Sequence, residues 1–303
     1  MSKSINVSPV SYANWLKLVF DHPAAPRDED GNSDVVSWWY WQEGLAFHVS
    51  NKTRLVQHMT RLCREFKIVA ASYSLPQINQ GIWFLLSARI EFPKLLADAT
   101  VPVESRIECV RSMFWVFADF VKPSEVEAME NCFHMWWDLV CDSHWNAHLW
   151  RLKGDEIMVQ MQCEEEDEDA QLSPEDKARQ QQMTEILSQL KPGEDAEAAL
   201  QNHGFSFNEF PCDDRPRSST QIDIEWKDLA PDELRVIDAM LETLTKILDL
   251  DEIRCEEYAL HGLNHLNHPR RVQTVQDFID SHSHEWDKEA LAWVESCRDG
   301  TAM

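Results

Sequence analysis

Apolar residues recur along most of this chain at intervals of three and four, the spacing that lines one face of a helix. The stretch PQINQGIWFLLSARIEF shows it plainly, with Ile78, Ile82, Leu85 and Leu86 at i, i+4, i+7 and i+8. Helix start signals stand just ahead of such runs. Ser8-Pro9, Pro76, Ser124 with Glu127, Ser173-Pro174 and Pro231 each occupy the place of an N-cap or first-turn proline. Together they predict helices over about 10–20, 51–67, 76–88, 103–121, 124–140, 174–190, 231–249, 252–267, 269–281 and 285–297. Only short alternating stretches suggest strands, so the pattern predicts an all-α fold. Gly81 and Gly262 each fall inside a helical run, where glycine costs about 1 kcal/mol relative to alanine. Their presence predicts close crossings with other helices, as in stacked helical hairpins.

The pattern changes at Cys163. From CEEEDEDAQLSPEDKARQQQ to PCDDRPRSSTQ the chain loses large apolar residues and gains charge, glutamine, serine and proline. Such a segment buries too little apolar surface to offset its chain entropy. The expected organisation is an aromatic-rich helical body over 1–162, an acidic, partly disordered and mobile insertion with one helix over 163–225, and a carboxy-terminal helical unit over 226–303 packed on the body.

Composition sharpens this picture. With 44% apolar residues and only 8 glycines in 303 residues, the chain has material for a large core and little for a turn-rich β fold. The net charge is −25, and Cys163–Asp232 holds 19 acidic against 6 basic residues, which accounts for −13 of it. That balance repels phosphate backbones and anionic headgroups, so nucleic acid and membrane surfaces are excluded as expected partners and a basic protein partner is favoured. The eight cysteines are scattered, with no CxxC pair, and read as reduced, buried thiols. The amino terminus lacks a signal-peptide apolar run, no segment approaches the roughly 18–20 apolar residues of a membrane span, and a cytoplasmic location is expected.

Two tryptophan clusters follow. VVSWWYWQEGLAF contains Trp38, Trp39 and Trp41, and FHMWWDLVCDSHWNAHLW contains Trp136 and Trp137. Rings of this size either fill seams between helices or anchor a partner. Consecutive residues on a helix diverge by about 100°, so the sequence holds these five as partner-binding candidates as well as core.

The stretch EEYALHGLNHLNHPRRVQTVQDFIDSH runs an Ala-Leu-x-x-Leu helix into a proline turn and then a Val-x-x-Val-x-x-Phe-Ile helix. It resembles HEAT-type helical repeats. With WWYWQEG and INQGIWFLL it is also similar to uncharacterised bacterial all-α proteins whose late helix reads Ala-Leu-His-Gly-Leu-Gly-His; here Asn264 replaces the second glycine. The resemblance implies an α-solenoid-like stack over roughly the last 75 residues and assigns no reaction.

The same stretch carries the most definite chemistry in the chain. On a helical wheel at about 100° per residue, Ala259, Leu263 and Leu266 share one face, while Glu257, His261, His265 and His268 share the opposite one. Imidazoles at i and i+4 can hold zinc, with a carboxylate completing the set, and His282 and His284 could add to it. The glutamate of an HExxH motif is absent between them, and GxSxG, P-loop and GxGxxG motifs are absent too. The Arg270-Arg271 pair suits an electrostatic cap on the preceding helix end. Read alone, the sequence describes an acidic, non-enzymatic protein-binding module without a cofactor, of the kind that neutralises a basic enzyme or toxin. The alternative it leaves open is a metal-dependent hydrolase with zinc on Glu257, His261, His265 and His268.

Overall fold

The computed structural model of this chain describes residues 3–24, 38–42, 45–87, 90, 92–123, 130–171, 182 and 225–302. It is mostly helical. Strand β1 (Lys3–Asn6) leads into helix α1 (Tyr12–Phe20), whose N-cap Ser11 accepts a hydrogen bond from the Asn14 amide. A 3-10 turn at Trp39–Trp41 precedes strand β2 (Leu45–His48), which pairs in parallel with β1 in the register Lys3 with Leu45. Asn6 Oδ1 accepts from the Ser8 amide and hydroxyl and from the Ser50 amide, fastening the ends of the two strands.

Helix α2 (Lys52–Ala70) is capped by Asn51, and α3 (Leu75–Leu86) starts in a capping box between Ser74 and Gln77. A short turn, α4 (Phe92–Leu95), leads to α5 (Val103–Ser112). The helix predicted over 103–121 is not continuous. It breaks at Met113 into α6 (Phe114–Val116) and a π-helical turn at Phe117–Val121, closed by the Lys122 amide on the Phe117 carbonyl at 2.8 Å. The wide turn carries Phe117 to Trp136, Trp137 and Tyr258, each with ring centroids 6.4 Å away. Helix α7 (Glu130–Gln171) is helical past Cys163, where the change of composition begins. The remainder of the predicted insertion, including its helix over 174–190, lies outside the described residues apart from Gln182 and Glu225. Helices α8 (Pro231–Leu248), α9 (Ile253–His265), α10 (Arg271–His282) and α11 (Lys288–Asp299) complete the chain.

The chain divides into two compact units. One comprises Met1–His148 with Glu225–Met303, and the other Leu149–Ile224. The carboxy-terminal helices therefore share a unit with the amino-terminal residues up to His148. Within this unit α5 lies between α2 and α8, α9 lies against α8 and α11, and α10 lies against α11. Trp15, Phe66, Phe84 and Met59 are fully buried, each contributing about 1.5–3 kcal/mol through burial. Among the described residues no helix is long and apolar enough to cross a membrane.

Gly81 and Gly262 both sit at close crossings. A Cβ on Gly81 would come within 2.3 Å of the Phe20 ring, and one on Gly262 within 2.5 Å of Trp137 Cβ. The six described cysteines are buried and unpaired.

The tryptophan candidates require a correction. Trp38, Trp39, Trp136 and Trp137 are all buried. Trp39 stacks on His22 with centroids 3.7 Å apart and lies 4.5 Å from the Phe84 ring; Trp136 Nε1 donates to Met113 Sδ. Rings enclosed by helices of their own chain cannot anchor a partner, and of the five only Trp41, at 37% exposure, reaches the surface.

Candidate metal centre

Helix α9 begins at Glu252, whose side chain accepts from the Cys255 amide, and ends with the Arg271 guanidinium donating to the Asn264 carbonyl at 3.0 Å. That contact is the helix-end cap expected of the arginine pair. Between these ends, every residue from Tyr258 to Asn264 is buried. The histidine face, opposite the apolar stripe on the helical wheel, is thus packed as well. It lies against α7, because Gly262 has no side chain to hold Trp137 away.

Helix α7 brings its own ladder to this contact. His134 stacks on His261, with centroids 4.0 Å apart and planes 24° from parallel, and meets Tyr258 edge-on. One turn further on, Asp138 Oδ2 lies 4.0 Å from His261 Nε2, and Asp138 Oδ1 lies 3.4 Å from His265 Nδ1. A turn beyond that, Asp142 Oδ2 lies 3.3 Å from the same nitrogen. Residue numbers rise together on both helices, so α7 and α9 run side by side in the same direction here. Single ligating atoms of Asp138, His261 and His265 all lie within 4.8 Å of one another.

The electrostatics follow from this enclosure. Burial lowers the His261 pKa to about 4, with His134 and His265 adding to the effect, so the imidazole is neutral with an available lone pair. Burial likewise lowers His134. Burial raises the Asp138 carboxyl to about 6; His265 opposes the shift, while Asp142 adds to it as a neighbouring charge and hydrogen-bond partner. His265 moves upward, chiefly through its bond to Asp142. Neither ring nitrogen of His261 has a hydrogen-bond partner, although the residue is only 5% exposed. A neutral imidazole always carries one N–H, so the buried ring lacks a partner for both a donor and an acceptor, at about 1–3 kcal/mol for each such group.

The other sequence candidates separate from this cluster. Glu257 is exposed and does not join it, and His268 turns to α8, where Nε2 pairs with Asp238 at 2.9 Å and Nδ1 accepts from the Arg270 amide. His282 stacks on Phe278, away from the cluster. Sequence reading missed Asp138, Asp142 and His134. Their signal was present as an i, i+4, i+8 ladder on α7 that matches the spacing on α9, but it was obscured by the tryptophans around it.

A second group, His144, His148 and Glu233, is also convergent and is wholly buried. His148 Nε2 lies 3.3 Å from Glu233 Oε2 and 3.4 Å from His144 Nε2, and Arg106 Nη1 donates to the same carboxylate oxygen at 2.9 Å. Arg106 already balances Glu233 there. Among the described residues, a cation at this place would leave uncompensated charge in the interior, so the group suits a polar network joining α5, α7 and α8. The Asp138 cluster has the opposite balance, with two carboxylates facing His265 and a neutral His261.

No protein-family model, curated protein or solved structure matches this chain.

Proposed function

We propose that this chain is a metal-binding helical protein in which Asp138, His261 and His265 hold a divalent ion of the zinc class between α7 and α9. The observation that carries the reading is the buried His261 imidazole, which has no hydrogen-bond partner yet faces a carboxylate and a second imidazole. Tetrahedral bonds of about 2.0–2.1 Å place ligand atoms about 3.3–3.4 Å apart. The contacts of His265 with Asp138 Oδ1 and Asp142 Oδ2, at 3.4 and 3.3 Å, have this spacing, while Asp138 meets His261 through its other oxygen at 4.0 Å, so the three ligand atoms, within 4.8 Å of one another, draw together on binding. Mixed imidazole and carboxylate donors suit zinc better than magnesium or calcium, which favour all-oxygen shells. The α8–α9 and α10–α11 neighbours also accord with stacked hairpins around the site.

Elemental analysis of the full chain, produced without a histidine tag, tests the reading. One zinc-class ion per chain is expected, lost in His261→Ala and His265→Ala and kept in Glu257→Gln. Metal-free protein whose melting temperature does not respond to added zinc would overturn it.

A further inference from the structure

We infer that Asp142 is the fourth ligand, which makes the site coordinatively closed and the ion a lock between α7 and α9, not a catalyst. This rests on the metal-binding reading and goes further, because closure determines what an ion there can do. A catalytic zinc keeps one position for water or substrate, whereas a structural zinc fills all four with protein groups.

Three observations support closure. Asp142 stands one helical turn beyond Asp138, with Oδ2 3.3 Å from His265 Nδ1, the same edge length that Asp138 makes with that nitrogen. Its side chain is 49% exposed, against 13% for Asp138 and 7% for His261, so Asp142 is the solvent-facing carboxylate of the cluster. With it, two carboxylates and two neutral imidazoles cancel a divalent charge, which a half-buried place between helices strongly favours. His134 does not compete for the position. Its ring lies face to face with His261 and fixes that imidazole's orientation. Both carboxylates belong to α7 and both imidazoles to α9, so the filled site ties one helix to the other.

Cobalt(II), added to the metal-stripped full chain without a tag, distinguishes the alternatives. Four-coordinate cobalt absorbs visible light strongly and six-coordinate cobalt weakly, so the band reports coordination number, and its change on removal of Asp142 reports whether that carboxylate is a ligand. The wild type is expected to show the strong band, displaced by zinc. Asp142→Asn is expected to retain cobalt on the other three ligands with the band collapsed and the affinity reduced about 10-fold or more. Glu257→Gln should change neither. A weak, six-coordinate spectrum in the wild type, or an Asp142→Asn variant indistinguishable from it, overturns the closed site and leaves metal binding intact. Absence of cobalt binding, or binding that survives the combined His261→Ala and His265→Ala changes, overturns both. Circular dichroism checks the folding of each variant, and Asp142→Ala replaces Asp142→Asn in the comparison should the latter unfold.

Discussion

Burial shifts His261 and Asp138 in opposite directions from their ordinary values. In metal-free protein the Asp138 carboxyl titrates near 6 instead of 3.8, so between those values the folded chain holds a proton that the unfolded chain has lost, and stability falls as pH rises. His261 titrates near 4 instead of 6.5, so over nearly the same window the unfolded chain holds the extra proton, and stability rises with pH. The two contributions offset each other from about pH 4 to pH 6, and neither residue is among the causes of the other's shift. Single substitutions should expose them. Relative to wild type, Asp138→Asn is expected to gain stability as pH rises through this window, and His261→Phe to lose it, both read from urea midpoints at several pH values. Parallel profiles for all three proteins would show that the two groups titrate normally. Metal uptake, which needs the ionised carboxylate, should strengthen as pH rises past about 6.

At the scale of elements, Gly262 determines whether α9 can reach α7. An alanine there would place its Cβ 2.5 Å from Trp137 Cβ and 2.9 Å from Leu244 Cδ2, so the helices must part. Gly262→Ala is expected to destabilise the fold by about 1–3 kcal/mol despite its better helix propensity, and to weaken zinc uptake. At Gly154 the nearest atom to an added Cβ is Trp150 Cε3 at 3.8 Å, an ordinary contact, so Gly154→Ala should stabilise by about 0.5–1 kcal/mol. Denaturant titration of the two variants checks both signs. These elements also show what the sequence made legible. Helix starts such as Pro231 and Pro76 depend on neighbouring residues and could be read directly, as could Gly81 and Gly262. The surroundings of α9 could not. A helical wheel separates one apolar stripe from one polar face, but this helix is enclosed on both, and its polar face meets a ladder from a helix more than a hundred residues earlier. The tryptophans of α7 read as candidate anchors, while Asp138 and Asp142 beside them are the carboxylates of the candidate site.

Across the whole molecule, the two lengths of chain that form the larger unit are joined by Arg106 and Glu233, each side chain 2% exposed. Arg106 also donates to the Leu96 carbonyl, and Glu233 meets His148, so α5, α7 and α8 share one buried polar junction. Replacing one member strands the charge of the other. Arg106→Met is expected to cost about 3–5 kcal/mol, seen as a lower melting temperature, whereas Arg111→Met, which breaks an exposed pair with Glu242, should cost no more than about 1 kcal/mol. Equal losses in the two variants would mean that burial of the first pair adds nothing.

The carboxy-terminal residues return to α9. Gly300 takes a left-handed turn at φ 77°, after which Asn264 Nδ2 donates to the Ala302 carbonyl at 3.0 Å and Asn264 Oδ1 accepts from the Ala302 amide at 3.1 Å. Asn264 adjoins His265. A backbone amide outside helices and sheets ordinarily exchanges with deuterium almost as fast as in an unfolded peptide. The Ala302 amide should instead exchange only when α9 loosens, and it should slow further once an ion fastens α9 to α7, making the chain's last turn a deuterium clock for a site formed on other helices.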